Sequence, residues 1–350
     1  MHKIKNGIGK SLDLVSVLIP CYNCQATVEE AVRSIIHQTY DNLEILCVDD
    51  GSTDNTLSLL LKLAEADSRV IVLRNEGNKG LVYTLNKGVK LCHGSYIARM
   101  DSDDFSKPTR IEEELAYLKR NNLDGCGSFI RLFDDSNKIL GYKRVPYSFE
   151  TLRFYTLFDC PMCHPTVLIK AEVLKEYRYS SLSDAYVIED YDLWCRLLEN
   201  GYKIGNIKSL LLDYRYNPKG ESFTKRDIQR ENFIKRSLVY QHNCNLNFFD
   251  YFTTAVLCGF CLPQRSQEQL LCDYKHALLG LDSLSYVYPD KEINKWAVSK
   301  KVYCSLIVLR HCHSVKFLLV ILKLLLSNKT LSVVSALLYI VKEKMCYGKR

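Results

Sequence analysis

Between residues 15 and 104 two hydrophobic periods take turns, and this alternation restricts the chain more than any other feature of its sequence. Val15-Ser-Val-Leu-Ile19, Leu43 to Val48, Val70 to Leu73 and Ser95 to Met100 are short apolar runs, the pattern of buried strands. Between them the apolar positions move to helical spacing: 28, 31, 32, 35 and 36, then Leu57, Leu60, Leu61 and Ala64, then a stretch over 79–91. Thr27 with Glu30 predicts a capping box for the first helix, and Asp54 predicts a cap for the second. Pro108 suits the first turn of a helix over about 108–120. Strand and helix alternating at this spacing imply parallel strands joined by crossover helices, with ligands beyond the carboxyl ends of the strands. Three polar loops occupy that edge: Pro20–Gln25, Asp49–Asn55 and Asp101–Asp104.

The rest of the chain reads differently. Residues 125–225 are mixed, with turn signals at Asp134-Asp135-Ser136-Asn137 and Asn217-Pro218-Lys219-Gly220; beyond about 230 the pattern is helical. The expected organisation is one α/β domain over 1–230 and a helical, basic region over 231–350. No sequence period suggests a solenoid or a propeller.

Charge is unevenly placed. Residues 302–350 carry eight Lys and Arg against one acid, Glu343, so the whole formal excess of +7 lies there. The balanced remainder argues against a nucleic-acid surface. No stretch reaches about 18 apolar residues without a charge, which argues against a transmembrane helix. Lys316 and Lys323 fall on nearly one face of an otherwise apolar helix. Such a helix either lies in an anionic headgroup layer or packs on the protein with its lysines reaching solvent; peripheral membrane contact is the expectation.

Fifteen cysteines at irregular spacings, an odd count, and no signal-peptide pattern fit free thiols in a reducing, cytoplasmic setting. Cys21-Tyr-Asn-Cys24 and Cys160-Pro-Met-Cys163-His164 match zinc and haem-attachment spacings, but so many cysteines produce such pairs by chance.

Asp101-Ser-Asp-Asp104 places three carboxylates in four residues at a strand end. Their mutual repulsion suggests a hard divalent cation shared with substrate phosphates, although a solvated turn has the same composition. Asp49-Asp50-Gly51-Ser52 offers acceptors for base or ribose donors, or a plain turn into the next helix.

Val15-Ser-Val-Leu-Ile-Pro-Cys-Tyr-Asn23, Leu46-Cys-Val-Asp-Asp-Gly-Ser-Thr-Asp54, Asn78-Lys-Gly80 and Met100-Asp-Ser-Asp-Asp104, in this order and spacing, resemble the family 2 glycosyltransferases of GT-A fold over roughly residues 14–220. The resemblance implies a Rossmann-like mixed sheet flanked by helices. It also implies inverting transfer of one sugar from a nucleotide diphosphate sugar, usually a UDP-sugar, to an acceptor hydroxyl. By position Pro20 and Tyr22 line the base, Asp50 accepts from uracil N3–H, and Lys79 lies near the pyrophosphate. Asp101 contacts ribose or metal, and Asp103 is the principal ligand of Mn²⁺ or Mg²⁺.

Ile188-Glu-Asp-Tyr-Asp-Leu-Trp-Cys-Arg196 resembles the family's second acidic motif. There Asp190 is implied as the base that takes the acceptor proton, with Glu189 and Asp192 as alternates. On the residues alone, acids at a helix start also cap it and complement its dipole. His164-Pro165-Thr166 resembles an acceptor-side segment, and a lone histidine is equally a structural one. Asn217 stands where many relatives carry a histidine. The Q-x-x-R-W motif of processive synthases is absent, which favours single addition. The implied acceptor is a glycan or lipid-linked oligosaccharide of a bacterial surface, handled at the inner face of the membrane. Two other classes keep a similar sheet: a nucleotidyltransferase, which wants a glycine-rich basic phosphate loop not found here, and a non-catalytic glycan-binding module.

Overall fold

In a computed structural model the described residues are 13–311, apart from 219, 221–223, 247–248, 260–265 and 288–290. The apolar tail segments at 315–326 and 331–341, and with them the expected membrane contact, lie outside these residues. In chain order the elements are β1 (Val15–Cys21), α1 (Val28–Ile36), β2 (Leu43–Asp49), α2 (Thr56–Ala66), β3 (Val70–Arg74), α3 (Leu81–Leu91), β4 (Tyr96–Arg99), β5 (Phe105–Ser106), α4 (Arg110–Arg120) and β6 (Gly125–Phe133). There follow β7 (Ile139–Lys143), α5 (Phe149–Thr156), β8 (Leu168–Lys170), α6 (Ala171–Tyr177), α7 (Glu189–Glu199), β9 (Ile204–Arg215), α8 (Arg226–Asn243), α9 (Tyr251–Leu257), α10 (Gln267–Val287) and α11 (Lys291–His311).

The chain divides into two compact units, one of residues 1–125 with 164–178, the other of 126–163 with 179 onward. The first is a mixed sheet in the order β3-β2-β1-β4-β8 with helices packed on it. β1 pairs parallel with β2 and β4, β2 pairs parallel with β3, and β8 runs antiparallel to β4. β1 and β2 are buried along their whole length, which is why they read as unbroken apolar runs. α1 buries Val28, Ala31, Val32 and Ile35 of the predicted stripe, with Ile36 half-buried.

Three local expectations need correction. Thr27 does not cap α1: its hydroxyl instead donates to the carbonyls of Cys24 at 3.4 Å and Ser102 at 3.0 Å. Pro108 precedes α4, which begins at Arg110, so the proline shapes the turn before the helix. Asp54 is not the N-cap of α2, which is Asn55; from one position earlier it accepts from the Thr56 N–H at 3.0 Å.

The second unit holds β6, β7 and β9 and most of the C-terminal helices. β7 folds back antiparallel on β6, and β9 lies beside β6. α7 buries Leu193, Trp194, Leu197 and Leu198, an apolar stripe at helical spacing, and Tyr191 besides. Tyr191 stacks on Phe233 of α8 with ring centroids 4.0 Å apart. No helix among the described residues is long and apolar enough to cross a membrane.

Candidate active site

In the first unit the parallel register sets Cys21 beside Asp49 and Leu18 beside Arg99, so β1, β2 and β4 deliver their following loops to one edge. Hydrogen bonds then stitch the loops together. Asn23 N–H donates to Ser52 Oγ at 3.0 Å, Cys24 N–H to Thr56 Oγ1 at 2.8 Å and Gln25 N–H to Asp54 Oδ2 at 3.1 Å. Asn23 Oδ1 accepts from Thr53 N–H at 2.9 Å, and the Thr27 hydroxyl ties in the third loop through Ser102. Pro20 is buried within β1, whereas Tyr22 is exposed on the loop. The thiol of Cys24 is lowered, first by a hydrogen bond with Cys21, against the opposing effect of burial.

Asp50 is the hub of the second loop. Although buried, its Oδ1 accepts from Asn75 Nδ2 at 2.7 Å and Lys79 N–H at 2.9 Å, and Oδ2 from Gly80 N–H at 2.8 Å. These three donors fix the Asn78-Lys79-Gly80 loop against the strand end. Each oxygen has two lone pairs, so Oδ2 keeps acceptor capacity beyond the Gly80 bond. The Lys79 side chain is exposed. Gly51 permits the arrangement: its φ is +71°, and a Cβ there would sit 2.5 Å from the backbone of Gly77.

At the end of β4, Arg99 reaches Asp101 with both nitrogens, Nη1 to Oδ2 at 2.7 Å and Nη2 to Oδ1 at 2.6 Å. The guanidinium is itself buried. Behind it Arg110, fully buried and paired with Glu114 at 3.2 Å, donates to the Arg99 carbonyl at 2.9 Å. Asp101, Asp103 and Asp104 each bring a carboxylate oxygen to within 4.8 Å of the others, the one such cluster of potential ligands among the described residues. Three hard oxygen donors at that spacing suit a divalent cation such as Mg²⁺ or Mn²⁺. The cysteines at 21, 24, 160 and 163 form no such cluster. His164 is buried in a short turn near β4; burial, and then the Arg99 charge, push it well below the ordinary histidine range, so it is neutral.

In the second unit Glu189, Asp190 and Asp192 occupy the first turn of α7. Ile188 is the N-cap residue, so none of the three acids caps the helix in the usual way. Asp190 Oδ1 accepts from Tyr191 N–H at 2.7 Å, and Oδ2 lies 3.4 Å from Cys160 Sγ. Asp192 is taken up by Arg196 at 2.8 Å and Arg236 at 2.9 Å. Of the three acids the sequence offered, Asp192 is committed to ion pairs with Arg196 and Arg236.

Arg99 and Asn75 were not singled out from the sequence. For Arg99 a signal existed, because residues i and i+2 of an extended segment share a face. Asn75 sits in a glycine-rich loop that carries no such period.

The family described as "Glycosyl transferase family 2" matches residues 16–178. An Escherichia coli protein described as the O-antigen biosynthesis glycosyltransferase WbnJ is 32% identical over 211 residues, 59% of this chain and 82% of that one. A second Escherichia coli protein, described as the UDP-Glc:alpha-D-GlcNAc-diphosphoundecaprenol beta-1,3-glucosyltransferase WfaP, is 26% identical over 259 residues, 73% of this chain and 99% of that one. Among solved structures, the mannosyltransferase PcManGT of Pyrobaculum calidifontis, in complex with GDP-Man and Mn²⁺, superposes with a TM-score of 0.54 at 16% identity, over 85% of this chain and 86% of that one.

Proposed function

The chain belongs to glycosyl transferase family 2 and is a glycosyltransferase of GT-A fold, and from that premise we propose that it moves one sugar from a UDP-sugar, with inversion, to a hydroxyl of a glycan or lipid-linked oligosaccharide in bacterial surface polysaccharide synthesis. The observation that carries the reading is the stitched edge of the first unit: an anchored carboxylate at Asp50 after β2 and an acidic cluster at 101–104 after β4, the two strands that flank β1 in parallel. The printed activity of WfaP supports the donor and acceptor classes, and the printed description of WbnJ supports the setting in surface polysaccharide synthesis.

Pro20 and Tyr22 are assigned to the base, Asp50 to uracil N3–H and Lys79 to the pyrophosphate. Asp101 and Asp103, with Asp104 beside them, would hold Mn²⁺ or Mg²⁺, which neutralises charge on a departing diphosphate. Arg99 keeps the Asp101 carboxylate in one orientation. In the transfer step the acceptor O–H bond breaks and its proton passes to Asp190. The oxygen's electron pair forms the new bond to the anomeric carbon. The bond from that carbon to the diphosphate breaks on the opposite side, and its electrons leave with UDP, which inverts the centre. Neutral His164 and Glu189 are assigned to the acceptor side.

Residues 1–230 are proposed as the catalytic domain, and the basic region beyond 231 as a peripheral anchor on anionic lipid at the inner membrane face. Removing residues 312–350 is expected to release the protein from anionic vesicles; unchanged flotation sinks the anchor. For the activity, the test is a panel of UDP-sugars with and without Mn²⁺, scored for binding and hydrolysis. If none is bound or hydrolysed, and Asp103→Ala changes nothing, the reading is wrong.

A further inference from the structure

The turn after α5 is fixed from two directions. Asp159 accepts from the Tyr155 hydroxyl at 3.0 Å and from Cys160 N–H at 2.8 Å. Fully buried Asn206 of β9 donates through Nδ2 to the carbonyls of Pro146 at 2.6 Å and Pro161 at 3.0 Å. The Cys160 thiol is thus presented from a rigid support, 3.4 Å from Asp190 Oδ2 and 3.3 Å from the Met162 carbonyl. On the other side, Asp190 Oδ1 faces Tyr191 N–H. The Tyr191 N–H on Oδ1 and the Cys160 thiol on Oδ2 help to define the plane of the carboxylate.

We propose that Cys160 is a positioning residue for glycosyl transfer: its thiol, donating to Asp190 Oδ2, fixes the orientation of the carboxylate that receives the acceptor proton. The inference rests on the reading of Asp190 as the base. The thiol proton stays on sulfur throughout. Burial, and next the Asp190 charge, push the Cys160 thiol well up, so it remains a donor across the neutral range. The charged groups around this corner are Lys143 of β7, Asp159 in the turn, and Glu189 and Asp192 on α7, with Arg236 behind Asp192.

The choice of sulfur has a physical reason. A base needs orientation, but every strong donor to a carboxylate makes it less basic. A thiol is a weak donor, so it orients the group while taking little from its basicity. Serine at this position would donate more strongly, and alanine not at all.

The test uses the full-length protein and its Cys160→Ala, Cys160→Ser and Asp190→Asn variants, with whichever UDP-sugar the wild type hydrolyses. In Cys160→Ala, kcat is expected to fall about tenfold with donor KM within about twofold, and the acid limb of the kcat–pH profile to move up by about half a unit to one unit. Cys160→Ser should recover most of kcat and move the limb the other way. A limb that stays put in both variants overturns the proposal, as does a rise in donor KM at constant kcat. Asp190→Asn separates the two readings: if it keeps full activity, the base assignment has failed; if it is inactive while Cys160→Ala behaves as wild type, only the thiol's role has failed. An activity-free check is the infrared S–H band of Cys160, isolated as the difference between wild type and Cys160→Ser. Asp190→Ala should shift that band to higher frequency, and an unmoved band removes the hydrogen bond on which the inference stands.

Discussion

Arg99 grips Asp101 through two parallel bonds of 2.7 and 2.6 Å while its guanidinium is only 4% exposed. The first acid of the 101–104 loop therefore has two duties. It neutralises a buried cation whether or not a metal is bound, and it joins the cluster of oxygens suited to one.

The loop's acids should consequently separate in melting experiments. Asp101→Asn weakens the counter-charge of a buried arginine, and we predict a loss of about 1–3 kcal/mol in metal-free protein, read as a lower Tm. Asp103→Asn should lose the stabilisation that Mn²⁺ or Mg²⁺ gives the native state. If Asp101→Asn leaves the metal-free Tm unchanged, the Arg99 pair is not a stabilising contact.

Gly51→Ala tests the second loop. The native φ of +71° already disfavours a side chain, and the Cβ would meet Gly77 backbone at 2.5 Å, where no rotamer change gives relief. The segments around Gly51 and Gly77 must then part, which pulls Lys79 and Gly80 from Asp50. We predict a stability loss of about 2–4 kcal/mol and a UDP affinity reduced at least about tenfold. Retained affinity in a calorimetric titration would show that the Asp50 latch is unrelated to the donor.

His164 gives a pH dependence with a definite sign. Its folded-state value lies well below the ordinary 6.5 because burial, and then Arg99, oppose the charged form. The unfolded chain thus takes up a proton near pH 6.5 that the native protein refuses. The stability from holding His164 neutral is fully present above about pH 6.5 and is lost as pH falls below it, by roughly 1.4 kcal/mol per unit. Urea midpoints between pH 7 and 5 should fall less steeply in His164→Gln than in wild type. Equal slopes would show that another group governs the acid limb.

What the sequence discloses follows from the range over which its signals act. The elements of the first hundred residues were legible because β1, β2 and α1 bury regular faces, and burial writes a period into the chain. The three loops were legible because parallel strands must deliver their carboxyl ends to one edge. The cap expected of Thr27 was not realised, because its hydroxyl goes to Ser102, 75 residues away. Cys160 and Asp190 are 30 residues apart, and no local pattern joins them. α8 meets the neighbouring chain through amides on carbonyls and ion pairs as well as through buried Ile234 and Tyr240, so no single apolar period announces it.

That polar face of α8 carries the last prediction. Val187, just before α7, is held at φ +59°, a left-handed conformation that a β-branched residue adopts only under constraint. The constraint comes from α8: Gln229 Nε2 donates to the Val187 carbonyl at 3.1 Å, and Asn232 Nδ2 to those of Tyr186 at 3.1 Å and Ser183 at 3.2 Å. One turn further on, Arg236 donates to both oxygens of Glu199 at 2.9 Å each and to Asp192 at 2.9 Å. The strained backbone costs roughly 1–3 kcal/mol and lies two residues before Glu189. With Gln229 and Asn232 both replaced by Ala, that strain can relax, turning the start of α7 and the Asp190 carboxylate with it. We predict a fall in kcat of about tenfold at little change in donor KM, with faster amide exchange over 183–188. Adding Val187→Asn should restore part of the activity, because asparagine tolerates the left-handed region and needs less holding. Unaltered exchange and kcat in the double variant would mean that α8 merely packs against this segment and does not set its conformation.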